Sequence, residues 1–121
     1  TAAEVASAVL QMGAMRVGHG YSAAEDAKTM ALLGQTQVHL EACPFGALKL
    51  GKLSAVGAFR AAGLHFGLST DDPASFFANT SMDRVESLVT WSLNFTLLDI
   101  QRARAAALAA AFGPTAATLA A

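Results

Sequence analysis

Three short stretches of the chain carry side chains able to do chemistry: Gly18-His19-Gly20, Glu41-Ala42-Cys43-Pro44 and Thr70-Asp71-Asp72-Pro73. An imidazole titrates near neutrality, so His19 has the chemistry of a general base or a ligand. Adjacent carboxylates such as Asp71 and Asp72 repel each other unless a metal, a cation or a hydrogen-bonding substrate offsets their charge. Each feature also has a plainer reading. His19 can close a strand, and Asp72-Pro73 can open a turn with Asp71 capping the next segment. Cys43 before a proline reads as a small buried hydrophobe, and no base that would activate it is visible nearby in the sequence. His39 and His65 fall within strand patterns and read as packing or surface residues. Lys49 and Lys52 read as solvated cations that could meet an anion. Trp91 and Phe95, four apart, read as the core-facing side of a helix.

The elements that must position these residues follow from periodicity and punctuation. A helix is predicted over Ala2–Met12 and stopped at Gly13. A short strand, Met15–Val17, runs into Gly18-His19-Gly20, where flanking glycines predict close backbone approach or an unusual conformation. Ser22, with Glu25 three residues on, predicts a capped helix over Ala23–Leu33 closed by Gly34. A strand is predicted over Val38–Ala42, then a loop over Phe45–Gly51. A helix over Ser54–Ala62 ends at Gly63, and a third strand, Leu64–Ser69, leads into Thr70-Asp71-Asp72-Pro73. Asp83 and Asp99 are predicted to cap two further helices, running to Asn94 and Phe112. Residues 115–121 are predicted to fray.

Strands alternating with helices imply an α/β fold with a parallel sheet and right-handed crossovers. Functional groups in such folds gather at the C-terminal ends of the strands, where all three stretches lie. Parallel sheets need both faces covered, and three strands leave two edges unpaired. Self-association or a companion segment is the expected remedy.

The 121 residues allow one small domain and fall well short of the roughly 250 of a complete α/β barrel. Hydrophobic residues make up 54% and charged residues 14%, which excludes a disordered chain. A formal net charge of -1 argues against a nucleic-acid partner. No run is long and apolar enough to predict a membrane span. The single cysteine rules out an intrachain disulfide and points to a reducing, cytoplasmic compartment.

Arg16–Tyr21, Glu25-Asp26, Leu40–Pro44 and Leu68–Pro73, in that order, resemble the C-terminal part of the adenosine deaminase family. The resemblance runs from about Met15 to Phe112. It implies three βα units from the end of a (β/α)8 barrel, followed by a C-terminal helix. It implies a zinc-dependent hydrolysis of adenosine to inosine and ammonia, with an activated water attacking C6 of the purine. By the same resemblance His19 matches the histidine that orients and deprotonates that water. Asp71 matches a zinc-ligating carboxylate, and Asp72 matches the carboxylate that contacts purine N7. The family's His-x-His pair, third histidine ligand and catalytic glutamate have no counterpart here. Zinc sites use three or four protein ligands, so the others are expected in an N-terminal portion and this chain alone is expected to be inactive. Phe45-Gly46-Ala47 departs from the family's Ser/Thr-rich segment at the pocket border. AMP or adenine therefore stands beside adenosine as a candidate substrate. A non-catalytic remnant that self-associates is the reading from a different class.

Overall fold

A computed structural model describes residues 1–72 and 81–113. The elements run α1 (Ala2–Leu10), β1 (Arg16–Gly18), a 3-10 turn (Tyr21–Glu25), α2 (Ala27–Thr36), β2 (His39–Ala42), α3 (Pro44–Lys49), α4 (Leu53–Ala61), β3 (Phe66–Leu68), α5 (Met82–Leu93) and α6 (Leu97–Ala109). The strands form one parallel sheet in the order β1-β2-β3. Arg16 is paired with His39, Gly18 with Glu41, and Glu41 with Gly67.

That register sorts the side chains onto two faces, because neighbours along a strand point opposite ways. One face carries Val17, Leu40, Ala42, Phe66 and Leu68, which join the apolar cluster under the helices. Phe59 from α4 and Leu33 from α2 are wholly buried in that cluster. The Phe59 ring sits 6.4 Å from Tyr21 and 6.5 Å from Phe66, and Phe66 meets Phe95 at 6.2 Å. The other face carries Arg16, Gly18, His39, Glu41 and Gly67, and these line an open cavity. α6 packs against β3, and a Cβ at Gly67 would come within 2.8 Å of the Ala107 Cβ. Only glycine permits that approach.

Several local expectations change. Ser22 and Glu25 do not start a helix; Tyr21–Glu25 is a 3-10 turn. α2 starts at Asp26, whose carboxylate accepts from the Thr29 N–H and hydroxyl at 2.7 Å each. An aspartate nearer the apolar run displaces the serine as the cap. Gly34 does not stop α2, which continues to Thr36 and ends on Gln37 in the left-handed region. The stretch expected as a loop after Cys43 is helical: Pro44 sits at the first helical position, where its missing N–H costs nothing. Ser81, not Asp83, occupies the N-cap of α5. Thr96 caps α6, and Asp99 answers it as the third residue of a capping box. Phe95 is buried, but Trp91 is 86% exposed on the far side of α5, because Phe95 lies past the helix end and breaks the four-residue spacing. Residues 115–121 lie outside the described residues. No helix among the described residues is long and apolar enough to cross a membrane.

Candidate functional site

The C-terminal ends of the three strands converge. His19 follows β1, Cys43 follows β2, and Asp71 lies just beyond β3. A nitrogen of His19, the sulfur of Cys43 and a carboxylate oxygen of Asp71 all lie within 4.8 Å of one another. They border a cavity of about 390 Å³ that also takes in Arg16, His39 and Glu41. Asp72 is exposed beside Asp71.

Backbone conformation brings the first and third residues together. His19 has φ 60° and Asp71 φ 61°, both in the left-handed region that costs a non-glycine residue energy. Gly20 follows His19 with φ 67°, so the chain turns sharply out of β1. The His19 N–H still donates to the Glu41 carbonyl at 3.0 Å, which extends the sheet ladder to the site. The Asp71 N–H donates to the Ser69 hydroxyl at 3.3 Å. Nε2 of His19 then faces Oδ2 of Asp71 at 3.9 Å.

Tyr21, buried at the start of the 3-10 turn, ties two of the strand ends together. Its hydroxyl accepts from the Cys43 N–H at 2.8 Å and donates to the Cys43 carbonyl at 3.0 Å. The same oxygen lies 3.3 Å from Nδ1 of His19. Burial pushes the Tyr21 phenol up to about 12, so it stays protonated. Burial, with the Asp71 charge nearby, pushes the Cys43 thiol up to about 11. A thiol so placed is not a nucleophile at neutral pH, in keeping with its reading as a buried hydrophobe.

Deeper in the cavity, Arg16 pairs with Glu41, Nε to Oε1 at 2.8 Å. Arg16 also donates to the Ala110 carbonyl and lies 4.8 Å from the centre of the Phe112 ring. His39 and His65 join Nδ1 to Nδ1 at 3.1 Å, and His39 is buried. Burial, then the His65 and Arg16 charges, lowers His39 to about 4. Lys52 reaches the Glu25 carboxylate rather than the cavity.

His19 and Asp71 are thus brought together from the ends of β1 and β3, the two outer strands, which β2 separates. Tyr21 and the Arg16–Glu41 pair were not singled out from sequence. Strand register would have placed Glu41 beside Gly18 and its neighbours, but register is not visible without the pairing partner.

A parallel sheet with its polar groups at the strand C-termini is the pattern of α/β proteins, open or barrel-shaped. The architecture matches the crystal structure of adenine deaminase from Arthrobacter aurescens, with TM-score 0.84 and 24% identity. That match covers 98% of this chain and 37% of the other, so the fold is part of a (β/α)8 barrel. The family model for adenosine deaminase matches residues 1–120, and the chain belongs to that family. Adenosine deaminase of Gallus gallus is 29% identical over 116 residues, covering 91% of this chain and 32% of the relative. Adenine deaminase of Agrobacterium fabrum is 34% identical over 113 residues, covering 89% and 34%. The chain spans about a third of the length of these relatives.

Proposed function

We propose that this chain supplies the last three strands of a zinc-dependent purine deaminase, and that the complete barrel converts adenosine and water to inosine and ammonia. The observation that carries the reading is the meeting of His19 and Asp71 from separate strand ends, 3.9 Å apart. A carboxylate oxygen is a donor that zinc accepts, so Asp71 suits that metal as one of its three or four ligands. Asp71 would hold it, and the remaining ligands would come from a preceding N-terminal portion that also covers the exposed strand edges. Bound zinc supplies Lewis acidity and lowers the pKa of a water. His19 orients that water and takes its proton at Nε2. Asp72 contacts N7 of the purine and sets the ring's position. In the net exchange the water oxygen would replace the C6 amino group, with one water hydrogen leaving with the amine as ammonia and the other ending on ring N1. The free Cys43 thiol accords with a cytoplasmic location.

A free purine base is the second reading, favoured by relatives named adenine deaminase at 34% and 36% identity. AMP is less favoured, since Lys52, one of two candidate phosphate contacts, is paired with Glu25.

The test is deamination of adenosine, adenine and AMP by the complete protein and by the 121-residue chain, with zinc measured on the same samples. Turnover of adenosine by the complete protein with about one zinc per chain supports the proposal. A complete protein that holds zinc but spares adenosine and turns over adenine moves the assignment to the base. A zinc-free, inactive complete protein leaves the self-associating remnant.

A further inference from the structure

We propose that the cavity between α4, α6 and the start of β3 binds a phosphate group, free or carried on a small organic molecule, with Arg60 and Arg102 as its partners. The cavity lies at the N-terminal end of the sheet, opposite His19 and Asp71. Gln37 on its wall precedes β2, and Gly63 and Leu64 precede β3. Its volume is about 330 Å³, within the roughly 300–1,000 Å³ of small-molecule sites. Its floor is apolar, made by Leu64, Phe66 and Ala103, all buried. Such a floor can take the body of a ligand whose charged end sits at the rim.

Positive charge is left over at that rim. Arg102 is exposed and has no hydrogen-bond or ion-pair partner among the described residues. Arg60 donates through Nη1 alone, to the Asn94 carbonyl at 2.7 Å and to Oδ2 of Asp99 at 3.4 Å, so its other nitrogens stay available. Asp99 is the single carboxylate on the wall, and its Oδ2 already accepts from the Thr96 N–H and hydroxyl at 2.8 Å each. Two guanidinium groups are thus set against one engaged carboxylate, in a chain whose net charge is -1. Their placement suits an anion. The Arg60 guanidinium lies 4.9 Å from the centre of the buried Phe95 ring, which fixes its plane. Arg102 stands one turn along α6 from Asp99, on the same face. The two cations therefore flank Asp99 from α4 and from α6. A guanidinium offers parallel N–H donors that match two phosphate oxygens.

The experiment is calorimetric titration of the complete protein with inorganic phosphate and with phenyl phosphate, with phenol and sodium chloride as phosphate-free controls. Two or three charge-assisted hydrogen bonds correspond to a Kd of about 1 mM or below. Arg102→Gln removes an exposed, unpaired charge and is expected to weaken binding about tenfold or more. Arg102→Lys, which keeps the charge and loses the fork, is expected to fall between the two. Tighter binding of phenyl phosphate than of phosphate supports a phosphomonoester, and equal binding supports free phosphate. A wild-type Kd above about 10 mM for both overturns the proposal. Binding that Arg102→Gln leaves unchanged overturns it as well, whatever the affinity. Turnover enters none of these measurements, so the deaminase reading and this one fail separately.

Discussion

Nε2 of His19 and Oδ2 of Asp71 lie 3.9 Å apart, and both residues hold left-handed backbones, at φ 60° and 61°. They come from different strand ends, so two separate turns are strained to aim two side chains at one point. Each such residue costs roughly 1–3 kcal/mol, and the cost persists only where surrounding structure imposes it. Here the His19 N–H on the Glu41 carbonyl and the Tyr21 contacts impose the first. The Ser69 hydroxyl on the Asp71 N–H helps impose the second.

Asp71→Ala in the complete enzyme is expected to abolish zinc retention and turnover. Losing even an outer partner of a metal ligand costs about 10- to 100-fold in affinity, so loss of the ligand itself should exceed that. Metal analysis after gel filtration, with an adenosine deamination assay, checks it. Full activity in the variant would remove the basis of the zinc assignment.

Acid should weaken the fold through His39. Its folded pKa is lowered to about 4 by burial, then by His65 and Arg16, with Glu41 opposing. The unfolded chain, titrating near 6.5, therefore binds more protons than the folded chain in between. The stability is fully present above about pH 6.5 and is lost as pH falls toward 4, on the order of 3 kcal/mol in all. Urea midpoints across that range measure it. His39→Gln should flatten the slope, and an identical slope in that variant would assign the loss to other groups.

Gly67→Ala should destabilise by about 1–3 kcal/mol, the usual cost of overfilling a packed site. The added Cβ would lie 2.8 Å from the Ala107 Cβ and 3.1 Å from Nε2 of His39. Backbone and ring must both move to admit it. A thermal melt no lower than wild type would mean that α6 does not press on β3 as described.

The two candidate caps for α2 separate cleanly. Asp26→Ala removes the acceptor for the Thr29 N–H and should cost about 1 kcal/mol. Ser22→Ala lies within the 3-10 turn and should change stability by less than about 0.5 kcal/mol. Denaturation of both variants under one condition decides it; equal losses would restore Ser22 as a cap.

Alternating apolar runs, glycine stops and proline breaks were enough to read the three strands, their alternation with helices apart from α3, and the strand ends where His19, Cys43 and Asp71 stand. These are local signals, carried by neighbours within a few residues. The family resemblance was legible for the same reason, since its motifs are short contiguous blocks. Cap choice was less legible. Ser22 and Asp26 both offer a side-chain oxygen before the same apolar run, and Phe45–Gly51 lacks the periodicity that would have revealed α3. Tertiary structure alone decided that Trp91 faces outward while Phe95 turns in. It alone placed the Tyr21 oxygen between His19 and Cys43, and Arg16 against Glu41. Those pairings join residues far apart in the chain through strand register and helix packing, and no local pattern of residue types encodes a register until the partner strand is in place.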